Sequence, residues 1–136
     1  MKKYNEKDIA FYAEGVVGDV VLGAPDADGL VDFALTEPYD CARQDITNRV
    51  RTQRGDWRHH GHIGGDLELL EGEPNTRGTA MKGVTQIYDT LTADGRFDPK
   101  NLYVRPVPVD IEQIDFYVLL DAGEEKPVAV KNSVDL

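Results

Sequence analysis

The sequence is short of the residues that staple, span or cut. One cysteine, Cys41, stands among 136 residues, so no internal disulfide can form and folding in a reducing cytoplasm is expected. The opening Met1-Lys2-Lys3-Tyr4-Asn5-Glu6-Lys7-Asp8 holds no apolar stretch that a secretion machine could read. No apolar run approaches the roughly 18 residues that suggest a membrane span, so no membrane partner is expected. Basic residues are scarce: 15 Lys and Arg face 25 Asp and Glu, a net charge of -10. That charge repels phosphate backbones and anionic bilayers, which argues against nucleic acid as a partner.

Signs of catalysis are equally thin. No serine or cysteine stands in a sharp glycine-framed turn, and no glycine-rich strand-to-helix loop of the phosphate-binding kind is present; Gly64-Gly65 is a turn. His59, His60 and His62 are the metal candidates by residue type. Their spacing argues against a site, because neighbours at 59 and 60 point apart and the helical His pairing at i and i+4 is missing. Glu68, Glu71, Glu73, Asp94 and Asp98 could supply a carboxylate pair for glycoside hydrolysis. With 25 acids in the chain such pairs arise by chance, and none stands alone in an apolar stripe that would raise its pKa. No cofactor and no enzymatic activity are expected, with a peptidoglycan-degrading hydrolase as the alternative.

What is present reads as one α+β domain over 1–136. Asp19 to Leu22 and Asp32 to Leu35 are two short strands around a turn-rich Gly23 to Gly29. Asp40 is a candidate cap for a helix of about 13 residues whose Ala42, Ile46 and Val50 recur at spacing four. That helix stops at Gly55, and residues 55–66 are too glycine-rich for a regular element, with Trp57 and Ile63 expected to pin the loop. Leu67, Leu69 and Leu70 precede Glu73-Pro74-Asn75, where Asn75 or Thr76 caps a second helix from about 76 to 92. Its apolar face is Ala80, Val84, Ile87 and Leu91, and Gly78 and Gly83 weaken it by up to roughly 1 kcal/mol each. Pro106 and Pro108 sit two apart in the extended run 102–109 and remove donors from the same edge. Ile114, Phe116, Val118 and Leu120 alternate with polar residues, and Lys126 to Val130 completes a second hairpin. The polar residues from Lys131 to Leu136 are expected as a free tail or a strand lent to a neighbour. The order of elements predicts a mostly antiparallel sheet with two main helices on one face. Arg43, Arg49, Arg51, Arg54 and Arg58 crowd a stretch holding only Asp45 and Asp56, a basic strip suited to an acidic protein surface or a solvated helix face.

Over roughly 19–120 the order of these pieces resembles the baseplate wedge and sheath initiator family of contractile phage tails. The family's relatives include the type VI secretion baseplate component once called a tail lysozyme. The resemblance starts with the two Asp-led strands and continues through Arg43-Gln44-Asp45-Ile46-Thr47-Asn48-Arg49-Val50-Arg51-Thr52-Gln53-Arg54-Gly55-Asp56-Trp57. His62-Ile63-Gly64-Gly65-Asp66-Leu67 is similar to the family's glycine-centred loop, with His60 where proline is common. Leu70-Glu71-Gly72-Glu73-Pro74-Asn75 is similar to its Leu-Phe-Glu-Pro-Asn step. The family's Glu-Pro-Arg signature has Asp98-Pro99-Lys100 in the matching place, after Phe97 and before Leu102-Tyr103-Val104, with Glu73-Pro74 as a competing position. Lysine keeps the charge but loses the planar two-bonded contact of a guanidinium.

The resemblance implies a structural virion protein of the tail baseplate, assembled in the host bacterial cytoplasm, with six copies around the tail axis. It implies wedge proteins, the tail sheath protein, and tube or hub proteins as partners. Asp98, Pro99, Lys100, Glu73, Pro74, Arg49 and Arg54 are its candidate contact residues. The physical step is edge pairing, in which an open strand margin between 102 and 134 accepts an extended segment and templates the first sheath ring.

Overall fold

In the computed structural model, residues 6–11 and 20–136 are described. The first helix, α1 (Pro38–Arg51), starts one turn differently from the sequence reading. Glu37 precedes it in extended conformation without a side-chain cap, and Asp40 lies inside the first turn, where it reaches Arg43 at 3.4 Å. Pro38 explains the shift, since its fixed φ suits the first helical position and its missing N–H would have had no partner there. Asp40 still favours this end through the helix dipole. Ala42, Ile46 and Val50 form the expected buried stripe, while Cys41 and Gln44 are buried as well. The second helix, α2 (Arg77–Thr92), opens on Thr76, whose hydroxyl accepts the Thr79 N–H at 3.2 Å.

Between the helices the chain makes a 3-10 turn, Leu67–Leu70, that buries Leu70 and leaves Leu69 exposed. The glycine-rich loop before it is anchored by backbone and not by Trp57, which is half exposed. Arg54 N–H reaches the Gly65 carbonyl at 2.9 Å and Gly65 N–H reaches the Thr52 carbonyl at 3.0 Å. Gly64 makes this closure possible: at φ +97° a side chain is disfavoured, and a Cβ would lie 2.5 Å from the Thr52 oxygen.

Three strands follow: β1 (Leu102–Asp110), β2 (Gln113–Leu120) and β3 (Val128–Asp135), paired antiparallel in the order β1-β2-β3. Alternation on the central strand puts Ile114, Phe116, Val118 and Leu120 wholly inside. Burying side chains of this size contributes about 1.5–3 kcal/mol each. Helix α1 lies over β3 and α2 over β1, so both helices cover one face. The molecule is a small α+β domain with an antiparallel sheet.

Gly83 sets the spacing of the helix layer. A Cβ there would lie 2.3 Å from Phe116 Cζ, so the sequence reading of this glycine as only a weakness is incomplete. It lets α2 approach the sheet closely enough to seat Phe116.

Two further sequence readings change. The segment Lys131 to Leu136 is neither a free tail nor a lent strand: it continues β3 to Asp135 against β2, because Val128, Val130, Asn132 and Val134 fall on the inward face. The N-terminal strands do not join the main sheet. Leu22 bridges Phe33 and Ile9 bridges Leu35, both antiparallel, in a small separate ladder; Asp19 lies outside the described residues. Gln44, two helix positions from Ala42 and so on the far side of α1, fastens this ladder by accepting from Phe11 N–H and donating to the Ile9 carbonyl, both at 2.9 Å.

Candidate functional site

The two margins of the sheet differ in chemistry, and backbone geometry decides how. In an antiparallel pair, successive residues direct their N–H and C=O alternately toward the partner strand and away from it. Val104 N–H meets the Tyr88 hydroxyl of α2 at 3.2 Å, which places the even residues of β1 with their backbone groups facing outward. The Tyr88 hydroxyl also donates to the Leu102 carbonyl at 3.0 Å. The next two outward positions are Pro106 and Pro108, which have no N–H. The outer margin of β1 therefore offers no free donor from 104 to 108.

The opposite margin is open. Leu136 N–H points back to the Glu112 carbonyl at 2.7 Å, so the even residues of β3 face β2 and the odd ones face out. Ala129, Lys131, Ser133 and Asp135 thus direct their N–H and C=O groups away from the sheet, and among the described residues none of these groups has a protein partner. Beside this edge lies a cleft of about 430 Å³ lined by Arg51 at the end of α1, by Gln53, by Glu68 and Glu71, and by β3. Asn132 also lines it, is 6% exposed, and has both side-chain amide atoms without a hydrogen-bond partner in the protein.

The candidate contact residues are spread over four places. Asp98, Pro99 and Lys100 form an exposed 3-10 turn leading into β1. The Asp98 carboxylate accepts the Lys100 N–H at 2.9 Å, so it caps its own turn. The Lys100 ammonium forms no ion pair among the described residues. Glu73 holds Lys82 at 3.0 Å, and Pro74 lines an open groove of about 960 Å³ together with Pro106, Pro108 and Ile111. Asn75 clips that corner, donating to the Asp110 carbonyl at 2.6 Å. Arg54 is exposed and lies 3.6 Å from Asp66.

Arg49 is committed inside the fold. Its side chain is 12% exposed and binds Asp45 at 2.8 Å and Asp94 at 2.7 Å. Arg96 bonds the other Asp45 oxygen and also Glu6, and both guanidinium groups stand 5.9 Å from the centre of the buried Phe97 ring. Burial alone would lower the pKa of Arg49 and of Arg96, but the hydrogen bonds they donate to the carboxylates outweigh it and hold both above their ordinary value. Burial would raise Asp94, yet the hydrogen bond from Arg49 leads the effects that bring it below the usual carboxylate value. This cluster ties α1 to the segment that runs into the Asp98 turn.

His60 and His62 pack edge to face at 5.9 Å on the exposed loop, with His59 also exposed. Among the described residues no group of three His, Cys, Asp or Glu is placed to hold a metal ion, and no helix is long and apolar enough to cross a membrane.

Sequence reasoning missed Tyr88, Asp45, Arg96 and Asn132. For Asn132 the signal was there: it occupies an inward position of the Val128-Val130-Val134 alternation. Nothing in the spacing showed that Tyr88 turns from the apolar face of α2 to the edge of β1. Comparison with family models and with curated proteins finds no match.

Proposed function

We propose that this chain is a non-catalytic structural component of a contractile-tail baseplate, which joins the wedge and templates the first sheath ring by strand-edge pairing. The observation that carries this reading is the asymmetry of the sheet: β1 is closed by Tyr88, Pro106 and Pro108, and β3 is open over eight residues. An extended segment of the sheath protein adds to β3 through main-chain hydrogen bonds, and repetition around a sixfold axis makes weak contacts hold together. Lys131, at the middle of that edge, disfavours pairing of two β3 strands centred on it, since like charges would stand opposite. The exposed turn at Asp98, Pro99 and Lys100 faces the wedge proteins, with tube or hub proteins as further neighbours. The protein resides in the virion baseplate after assembly in the bacterial cytoplasm.

Ser133→Pro tests the reading. The outward N–H of Ser133 is not part of the β2 ladder, so proline removes an edge donor and spares internal pairing. Mixed with the wedge and sheath proteins of its own tail, the variant is expected to fold by circular dichroism and to fail to start sheath growth. Sheath that grows from it at the normal rate defeats the proposal.

A further inference from the structure

The small N-terminal ladder carries its side chains in an unusual sense. Bridge partners in an antiparallel ladder put their side chains on the same side, and alternate residues of one strand share a face. The bridges Leu22 with Phe33 and Ile9 with Leu35 therefore gather four apolar side chains on one face, and Val31 joins them by alternation. The other face holds Ala10, Val21, Ala34 and Thr36, which are wholly or partly buried on the side where Gln44 grips the ladder.

The apolar face looks outward. Ile9 is 37% exposed, Leu22 63%, Val31 48%, Phe33 53% and Leu35 63%. An amphipathic ladder facing water would place its polar alternation there; here the sense is reversed, which marks a contact surface. Its backbone is held in place: Ala10 N–H to Ala34 O and Ala34 N–H to Val21 O are each 2.8 Å, and the Thr36 hydroxyl accepts Asp8 N–H at 3.1 Å.

The charges around this face specify the occupant. On the side of this face and at its turn stand Asp26, Asp28 and Glu37 with one base, Lys7, while Glu6, Asp8 and Asp32 alternate to the other face, where Glu6 pairs with Arg96. The Asp26 carboxylate is fixed by Asp28 N–H and Leu30 N–H, both at 2.9 Å, so its charge is held at the tip of the turn. A second copy of this chain would bring these acids against their own kind, and anionic lipid would meet the same repulsion. We propose that this face docks a different protein, one with an apolar centre ringed by lysine and arginine. The site is separate from the β3 edge and does not depend on the strand-pairing reading.

The test uses the full chain and two synthetic probes, a Leu/Lys peptide patterned as an amphipathic helix of about 14 residues and its Leu/Glu counterpart. A helical probe does not satisfy a strand edge, so β3 is silent in the measurement. Fluorescence anisotropy is expected to show saturable binding of the lysine peptide, weakened at least about tenfold in the Phe33→Ser, Leu35→Ser double variant, which keeps every charge. Leu22→Ser, at a single exposed position, gives the same direction of change should the double variant unfold. Equal binding by the variants, or equal binding of the glutamate peptide, overturns the proposal. A concentration-dependent dimer that the same substitutions abolish overturns it in favour of a second copy. Co-sedimentation with phosphatidylglycerol vesicles that they abolish overturns it in favour of lipid.

Discussion

The Tyr88 hydroxyl accepts the Val104 N–H at 3.2 Å and so takes up an edge donor that would otherwise face solvent or another chain. Because the same hydroxyl donates to Leu102, one side chain closes two backbone groups. Tyr88→Phe removes both bonds and is expected to destabilise the chain by about 1–2 kcal/mol, read from denaturant midpoints. Combined with Pro106→Val and Pro108→Val it reopens β1, and light scattering should then show more self-association than the wild type does at equal concentration.

Two glycines of α2 predict opposite outcomes. Gly78 is exposed, and a Cβ there would meet only the Thr76 hydroxyl at 3.6 Å, so Gly78→Ala is expected to stabilise by about 0.5–1 kcal/mol. Gly83→Ala forces Phe116 or the helix to move and is expected to destabilise by about 1–3 kcal/mol despite alanine's better propensity. Thermal melts of the two variants, shifted in opposite directions, check both.

The Arg49 cluster carries a pH signature. The native pKa of Asp94 lies below its ordinary value, so the unfolded chain binds this proton more readily than the folded one. Its stabilisation is complete above the unfolded pKa of about 3.8 and is lost as pH falls through the lower native value. Asp94→Asn should therefore flatten the fall of stability below about pH 4, as measured by urea unfolding at several pH values. Arg49→Met removes the partner of both Asp45 and Asp94 and is expected to lower stability by about 1–3 kcal/mol at neutral pH.

Asn132 is an inward position filled by a polar side chain with no partner in the protein. A leucine of similar size removes that penalty, so Asn132→Leu is expected to stabilise the isolated chain by about 1 kcal/mol or more in denaturant unfolding. A loss of stability would show that the amide does structural work within the fold.

The two helices and the central strand β2 were legible because their periods are strong: Ala42, Ile46 and Val50 repeat at four, and Ile114 to Leu120 alternate at two. The proline pair also announced a closed margin. Three features were hidden for physical reasons. The start of α1 depended on Pro38 outcompeting Asp40, which local capping preference does not rank. Polar Lys131, Asn132 and Ser133 masked β3 beyond Val130, where pairing is decided by tertiary contact with β2. The Arg49 cluster joins residues far apart in sequence, Arg49 to Asp94 over 45 positions and Asp45 to Arg96 over 51, and charge counting along the chain saw only a basic strip. Of the candidate contact residues, Asp98, Pro99 and Lys100 came out together on the surface, while Arg49 turned inward for the same reason.

The one-sided closure of the sheet also limits stoichiometry. A domain that offers no free donor from 104 to 108 on one flank pairs a guest strand on the other and disfavours a second, so it is a poor nucleus for a fibre of its own kind. Any assembly that grows from it must take its direction and its repeat from the guest.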